Sequence, residues 1–309
     1  MKRDLVGYGK NPPRVEWPGG CQIAVSLVVN YEEGSELTPA YGDKRHETNG
    51  EIPSRKPPEA RSLQTETQWE YGGRAGVWRL LRLFEEYEVN ATFFACGMAL
   101  EQNPPLGREI NARGHDVCGH GLRWVEQWHL DRDSEKESIH RAMELIEKMT
   151  GRRPLGWFTK SGPSLNTREI LAEEGFLYDC DGINDDLPYY TEVKGKPWLV
   201  VPYAFDSNDG KYWRGAWSNG EQFFSYLKDS FDMLYKEGAT HPKMLSIGLH
   251  SRVSGRPGRA MAVARFIEYA KGFPGVWFAG RDEIARWWLE RCPPGLKKAR
   301  VARETEERK

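Results

Sequence analysis

QIAVSLVVNYEEG, residues 22–34, decides the fold reading. Residues 22–31 are largely apolar and β-branched without a polar alternation, the pattern of a strand buried on both faces, and Glu32 and Glu33 close the run. Such a strand belongs to a parallel sheet covered by helices. Downstream, 34–72 carries Pro39, Pro53, Pro57 and Pro58 among many charges. It reads as a long surface loop serving as a lid or a subunit contact.

Beyond that loop the pattern alternates regularly. Strands are expected at 90–96, 115–119, 155–158, 176–179, 198–203, 243–250 and 275–280, with helices at 76–87, 105–113, 133–149, 166–175, 221–237, 257–271 and 281–290. About eight β/α units within about 250 residues imply an α/β fold closed into a barrel of seven to eight parallel strands. No GxGxxG or GxxxxGK[ST] follows a strand, which argues against an open nucleotide-binding sheet. The expected division is one domain over 1–296 and a charged tail, KKARVARETEERK, over 297–309.

Composition excludes several classes. Among 309 residues, 44 Lys and Arg balance 45 Asp and Glu, leaving no basic excess for nucleic acid. No apolar run approaches the ~20 residues of a membrane span, and the expected location is the cytoplasm. The five cysteines are scattered and never form CxxC, so neither a disulfide framework nor a thiolate zinc site is expected. The 12 tryptophans suit a core or an aromatic-walled pocket.

In a β/α barrel the chemistry sits where strands end. Those ends collect Glu32 and Glu33, His120, Asp179 and Asp181, and His250. Either carboxylates or a lone histidine could be merely structural, but separate strands delivering them to one rim point to a site. Carboxylate and imidazole together deprotonate water and protonate a leaving group, the equipment of hydrolysis. GxSxG is absent, and Cys118 near His120 forms no protease signature, so direct attack by water is preferred. A zinc site would need Glu32 or Glu33, His120, and a third ligand among Asp179, Glu126 and His129. In HGLRW (120–124), Trp124 stands four residues after His120, where a second histidine would share its face. GRPGR (255–259) reads as a turn opening a helix at Pro257. Arg252, Arg256 and Arg259 could meet substrate carbonyls or a neighbouring subunit, while Asp185 and Asp186 are read as structural or interfacial.

These residues resemble the polysaccharide deacetylases of carbohydrate esterase family four, and more closely the allantoinase-like branch of that superfamily. The resemblance is carried by VNYEEG (29–34), GRAGVWR (73–79), ATFFACGMALE (91–101), GHGLRW (119–124), FLYDCDGINDDLPYY (176–190), KMLSIGLHSR (243–252) and GRPGRA (255–260). It implies an irregular (β/α) barrel, a catalytic base at Glu32, a metal-ligand carboxylate at Glu33, the first metal-motif histidine at His120 and a general acid at His250. Trp124 in place of the second histidine agrees with a branch that works without the metal triad. No cofactor is therefore expected; a bound zinc would fall to Glu33 and His120. Where that branch has Gly-Arg-Thr-Ser-Pro-Asn-Thr, this chain reads TKSGPSLNT (159–167), with Lys160 near the arginine.

The expected activity is hydrolysis of a C–N bond in a small cyclic amide: allantoin, a hydantoin or a cyclic imide. Glu32, His250 and His120 are the catalytic candidates. Glu33, Trp124, Trp157, Lys160, Asp181, Arg252 and Arg256 are the substrate-binding ones. The rival readings are a zinc-dependent deacetylase of N-acetyl sugars, as in peptidoglycan or chitin, and a binding pseudoenzyme. The resemblance also implies a homo-oligomer, a tetramer.

Overall fold

The computed structural model describes residues 3–10 and 12–294. The charged tail over 297–309 lies outside them. Strand β1, Ile23–Tyr31, is buried along its whole length. Its odd residues, from Ile23 to Tyr31, pack outward against helices, while Ala24 and Val28 point into the curled sheet with Phe94, Phe158 and Tyr203. This alternation assigns each strand residue either to the helix layer or to the interior.

The remaining elements are α1 Leu63–Tyr71, α2 Val77–Glu86, β2 Ala91–Ala95, α3 Gly97–Gln102, α4 Pro104–Ala112, β3 Asp116–Gly119, α5 Arg132–Thr150 and β4 Gly156–Trp157. They continue with α6 Thr167–Glu173, β5 Tyr178–Asp179, β6 Tyr189–Val193, β7 Lys196–Val200, α7 Gly220–Gly238, β8 Lys243–His250, α8 Pro257–Lys271, β9 Val276–Phe278 and α9 Arg281–Arg291. The strands lie in the order β6-β7-β5-β4-β3-β2-β1-β8, with β9 on β1. All pairs are parallel except β6–β7.

β1 and β8 share the longest ladder, from Ile23↔Lys243 to Asn30↔His250. The other edge of β1 is divided between β9 at Ile23–Val25 and β2 at Leu27–Tyr31. The result is a curled half-barrel. No ladder joins β7 to β8; residues 201–208 cover that seam and touch β8 through one bridge, Asn208↔Gly248. Glycine is required there, because a Cβ on Gly248 would run into the Tyr203 hydroxyl and the Asn208 amide. Arg281 fills the interior below, donating to the Val201 and Pro202 carbonyls, Ser246 Oγ and Cys180 Sγ.

Besides the short helix α3, which was not expected, two stretches differ from the sequence reading. The 34–72 loop ends in helix α1, capped by Ser62, whose Oγ accepts from Thr65 N. A π-helical turn, Gly72–Gly76, then runs into α2. β6 was not expected: Lys194 and Gly195, both at positive φ, turn it back onto β7 as a hairpin. Among the described residues, no helix is long and apolar enough to cross a membrane.

The π turn sets the approach of α1 to the loop after β8. A Cβ on Gly76 would strike the Ser251 carbonyl, and one on Gly255 would strike Gly76 itself. Gly76→Ala is expected to cost about 1–3 kcal/mol through overpacking, because the obstacles are backbone atoms. Thermal melts measure it, and an unchanged Tm would show that the two segments separate without cost.

Candidate active site

Three strand ends build the site. β1 delivers Glu32 and Glu33, β3 delivers His120, and β8 ends at His250, with Arg252 two residues on. Glu32 is 1 % exposed, His120 2 %, His250 6 % and Arg252 4 %, so the reacting groups lie under a roof.

Glu32 is the hub. Its Oε1 lies 3.2 Å from His120 Nε2 and 3.6 Å from His250 Nε2, and its Oε2 lies 2.8 Å from Arg252 Nη1. Burial works to raise this carboxyl, but Arg252, His250 and His120 together outweigh it and hold it well below the usual carboxylate range. Glu33, equally buried, does different work. Its Oε2 accepts from Glu32 N at 3.0 Å and its Oε1 from Arg252 N at 3.2 Å, tying the end of β1 to the loop after β8. Burial pushes its carboxyl up, with Arg252 opposing and the charge of Glu32 adding.

Each histidine is oriented through Nδ1. His120 Nδ1 donates to the Phe158 carbonyl at 2.8 Å, and its ring stacks on Phe158 at 5.2 Å between centroids. His250 Nδ1 lies 2.6 Å from Asp209 Oδ1. Asp209 Oδ2 accepts from His250 N, Ser254 N and Ser254 Oγ, so this carboxylate is fixed on all sides. Both Nε2 atoms therefore face Glu32.

The roof is aromatic. The Arg252 guanidinium lies 3.8 Å from the Trp69 ring centre, with Trp124 and Trp213 at 5.5 and 5.6 Å. Trp69 comes from α1, so the 34–72 stretch walls the site. Lys160 Nζ sits 4.2 Å above the Trp124 ring and pairs with Glu126 at 2.8 Å.

Glu32, Glu33, His120, His250, Arg252, Trp124 and Lys160 are thus brought together. Trp157 is not. It points outward into the cluster of Ile139, Met143, Ile170 and Phe176, and the inward residue is its neighbour Phe158. Asp181 accepts from Thr159 N and Oγ1, so its carboxylate positions the residue before Lys160. Burial and the charge of Asp179 push it up to about 7. Arg256 stacks on Tyr71, and Arg259 pairs with Glu51; neither bonds Glu32, His120 or His250.

Sequence reasoning missed Asp209, Trp69, Trp213 and Phe158. Asp209 lies in a 3-10 turn, Asp209–Lys211, which the Asn208 side chain caps at Gly210 N. Only the local NDG turn signal marked it.

The donor set does not fit a metal. Among the described residues no group of three His, Cys, Asp and Glu is set to hold a metal ion: Glu32, His120 and His250 do meet, but the Arg252 guanidinium lies 2.8 Å from Glu32 Oε2 and already supplies positive charge there. Of the third ligands considered, Glu126 pairs with Lys160 and Asp179 with Arg168, while His129 packs against Trp128. Nor is a thiol available, since burial pushes Cys118 well up.

Known proteins resemble this chain along most of its length. The family described as Polysaccharide deacetylase matches residues 66–176. A Schizosaccharomyces pombe protein named "Putative polysaccharide deacetylase" is 37 % identical over 94 % of this chain and 98 % of its own. Two solved structures each share 47 % identity at a TM-score of 0.90, over 95 % of this chain and 99 % of theirs. One is a probable polysaccharide deacetylase from Pseudomonas aeruginosa PAO1, and the other is titled Puue allantoinase. On the match of residues 66–176 and on these relatives, the chain belongs to the polysaccharide deacetylase family.

Proposed function

We propose that this protein hydrolyses a C–N bond of a small cyclic amide, such as allantoin, a hydantoin or a cyclic imide. The observation that carries the reading is the sealed, aromatic site. Glu32, His120 and His250 are buried, His250 packs against Trp213, and the Arg252 paired with Glu32 stacks on Trp69, surroundings that suit a small flat substrate. A polysaccharide needs an open groove to lay neighbouring sugars beside the reacting one.

In this mechanism Glu32, already ionised, takes a proton from water as the oxygen attacks the ring carbonyl. His250 delivers a proton from Nε2 to the departing nitrogen, while Asp209 at Nδ1 stabilises the doubly protonated ring. Return of the proton from Glu32 to His250 resets the site. His120 is held by Phe158 with Nε2 toward Glu32, and it orients that carboxylate. Residues 1–296 act as one domain in this reading, and the protein works in the cytoplasm as a homo-oligomer, which light scattering would test.

Turnover should be screened over allantoin, hydantoin, succinimide and N-acetylglucosamine oligomers, with and without a chelator. Ring opening unaffected by chelation is expected. Deacetylation that stops on chelation and returns with zinc would replace this reading with the metal-dependent deacetylase.

A further inference from the structure

We propose that the Arg252 guanidinium does the charge work of a divalent cation in this site, receiving the negative charge that develops on the scissile carbonyl oxygen. This rests on the amide-hydrolysis reading above and names the electrophile that it lacks.

Three observations carry the assignment. First, Arg252 sits beside the paired carboxylates: Nη1 is 2.8 Å from Glu32 Oε2 and 3.5 Å from Glu33 Oε1. A second cation brought to these carboxylates would meet the guanidinium's repulsion, which accounts for the missing third ligand.

Second, beyond this ion pair neither charged atom has a hydrogen-bond partner: Glu32 Oε2 and Arg252 Nη1 are both buried with bonding capacity to spare. Native proteins seldom bury such capacity without use. Here the two are adjacent and complementary, an acceptor for a proton of water and a donor for a carbonyl oxygen.

Third, the guanidinium is held rigidly. It lies 3.8 Å from the Trp69 ring centre with Trp124 and Trp213 within 5.6 Å, and its backbone is fixed by Glu33 and by the Gly76–Gly255 contact. Stacking on aromatic faces offsets part of the lost hydration, and the dry surroundings strengthen the charge's effect on a bound carbonyl. Lys160 differs in its partner, pairing with Glu126 and not with Glu32 or Glu33.

The step balances without a further reagent. The water oxygen bonds to the carbonyl carbon, the π pair moves onto the carbonyl oxygen facing Arg252, and one water proton goes to Glu32. The pair then returns, the C–N bond breaks, and nitrogen takes a proton from His250. The products are a carboxyl group and an N–H.

The test compares wild type with R252A and R252Q on whichever substrate of the panel the wild type turns over. R252A is expected to lose about 10²- to 10³-fold in kcat, with a smaller change in KM. Guanidinium chloride at about 20 mM, far below denaturing concentrations, should restore at least about tenfold of the loss, and zinc chloride should not. Retention of more than about a tenth of kcat, absence of guanidinium rescue in folded R252A, or rescue by zinc alone overturns the assignment. Should R252A not fold by circular dichroism, R252Q decides: a loss of about 10²-fold with an intact fold supports the assignment, and a kcat within about tenfold of wild type overturns it. A wild type that cleaves only N-acetylglucosamine oligomers would defeat the cyclic-amide reading instead, and the same variants would then be read on that acetamide.

Discussion

Glu32→Gln is expected to fold like the wild type and to lose about 10²- to 10⁴-fold in kcat, because an amide of the same shape cannot accept a proton from water. The substitution fills the same buried volume between His120, His250 and Arg252. The sign of its pH behaviour follows from those neighbours. The folded-state pKa of Glu32 is depressed, so its ion-pair stabilisation is complete above the ordinary carboxylate pKa and is lost only as pH falls through the depressed value. An acid limb in kcat/KM between about pH 5 and 8 therefore belongs to another group. Steady-state kinetics with a thermal melt measure the effect, and more than about a tenth of wild-type kcat would remove Glu32 as the base.

Asp209→Asn should cost nearly as much, about 10³- to 10⁴-fold in kcat with little change in KM, by analogy with an aspartate that orients a catalytic histidine. The present carboxylate accepts from His250 Nδ1–H and so fixes the tautomer and aim of the ring. An amide N–H turned to Nδ1 forces the other tautomer and removes the carboxylate charge beside the ring. An alternative flip keeps an oxygen there but sets N–H groups against the Ser254 and His250 backbone donors. Kinetics of the folded variant decide between this role and a purely structural one. A melting temperature that falls while kcat holds would assign Asp209 to stability alone.

Much of this was legible in the sequence because strand ends are. A continuous apolar run stops where the chain leaves the sheet, so Glu32, His120 and His250 are marked by the hydrophobic pattern itself. Which way a side chain points at the end of a two-residue strand is not so marked. β4 holds only Gly156 and Trp157, and without a longer alternation to fix the parity, Trp157 read as the pocket ring that is in fact Phe158. Asp209 was hidden for another reason. It follows the irregular cover of the seam, where neither periodicity nor a cap separates a positioned carboxylate from a solvated turn. The helix in 34–72 was masked by the prolines before it, and its weak amphipathicity reflects a stretch that buries Trp69 and Gln68 while exposing much else.

The ladder between β1 and β8 has a consequence for how such a protein can change. Glu32, Glu33, His250 and Arg252 all issue from the ends of these two strands, locked in register over eight residue pairs. Trp69 stands on α1, while Trp124, Lys160 and Trp213 stand on the segments that follow β3, β4 and β7. Walls and proton-transfer groups therefore largely travel together: Asp209 and Trp213 share one segment, and His120 and Trp124 another. Trp69 comes from an element that holds none of the catalytic groups, so α1 is the wall that can be retuned for a differently shaped ring while the ladder keeps the carboxylates in place.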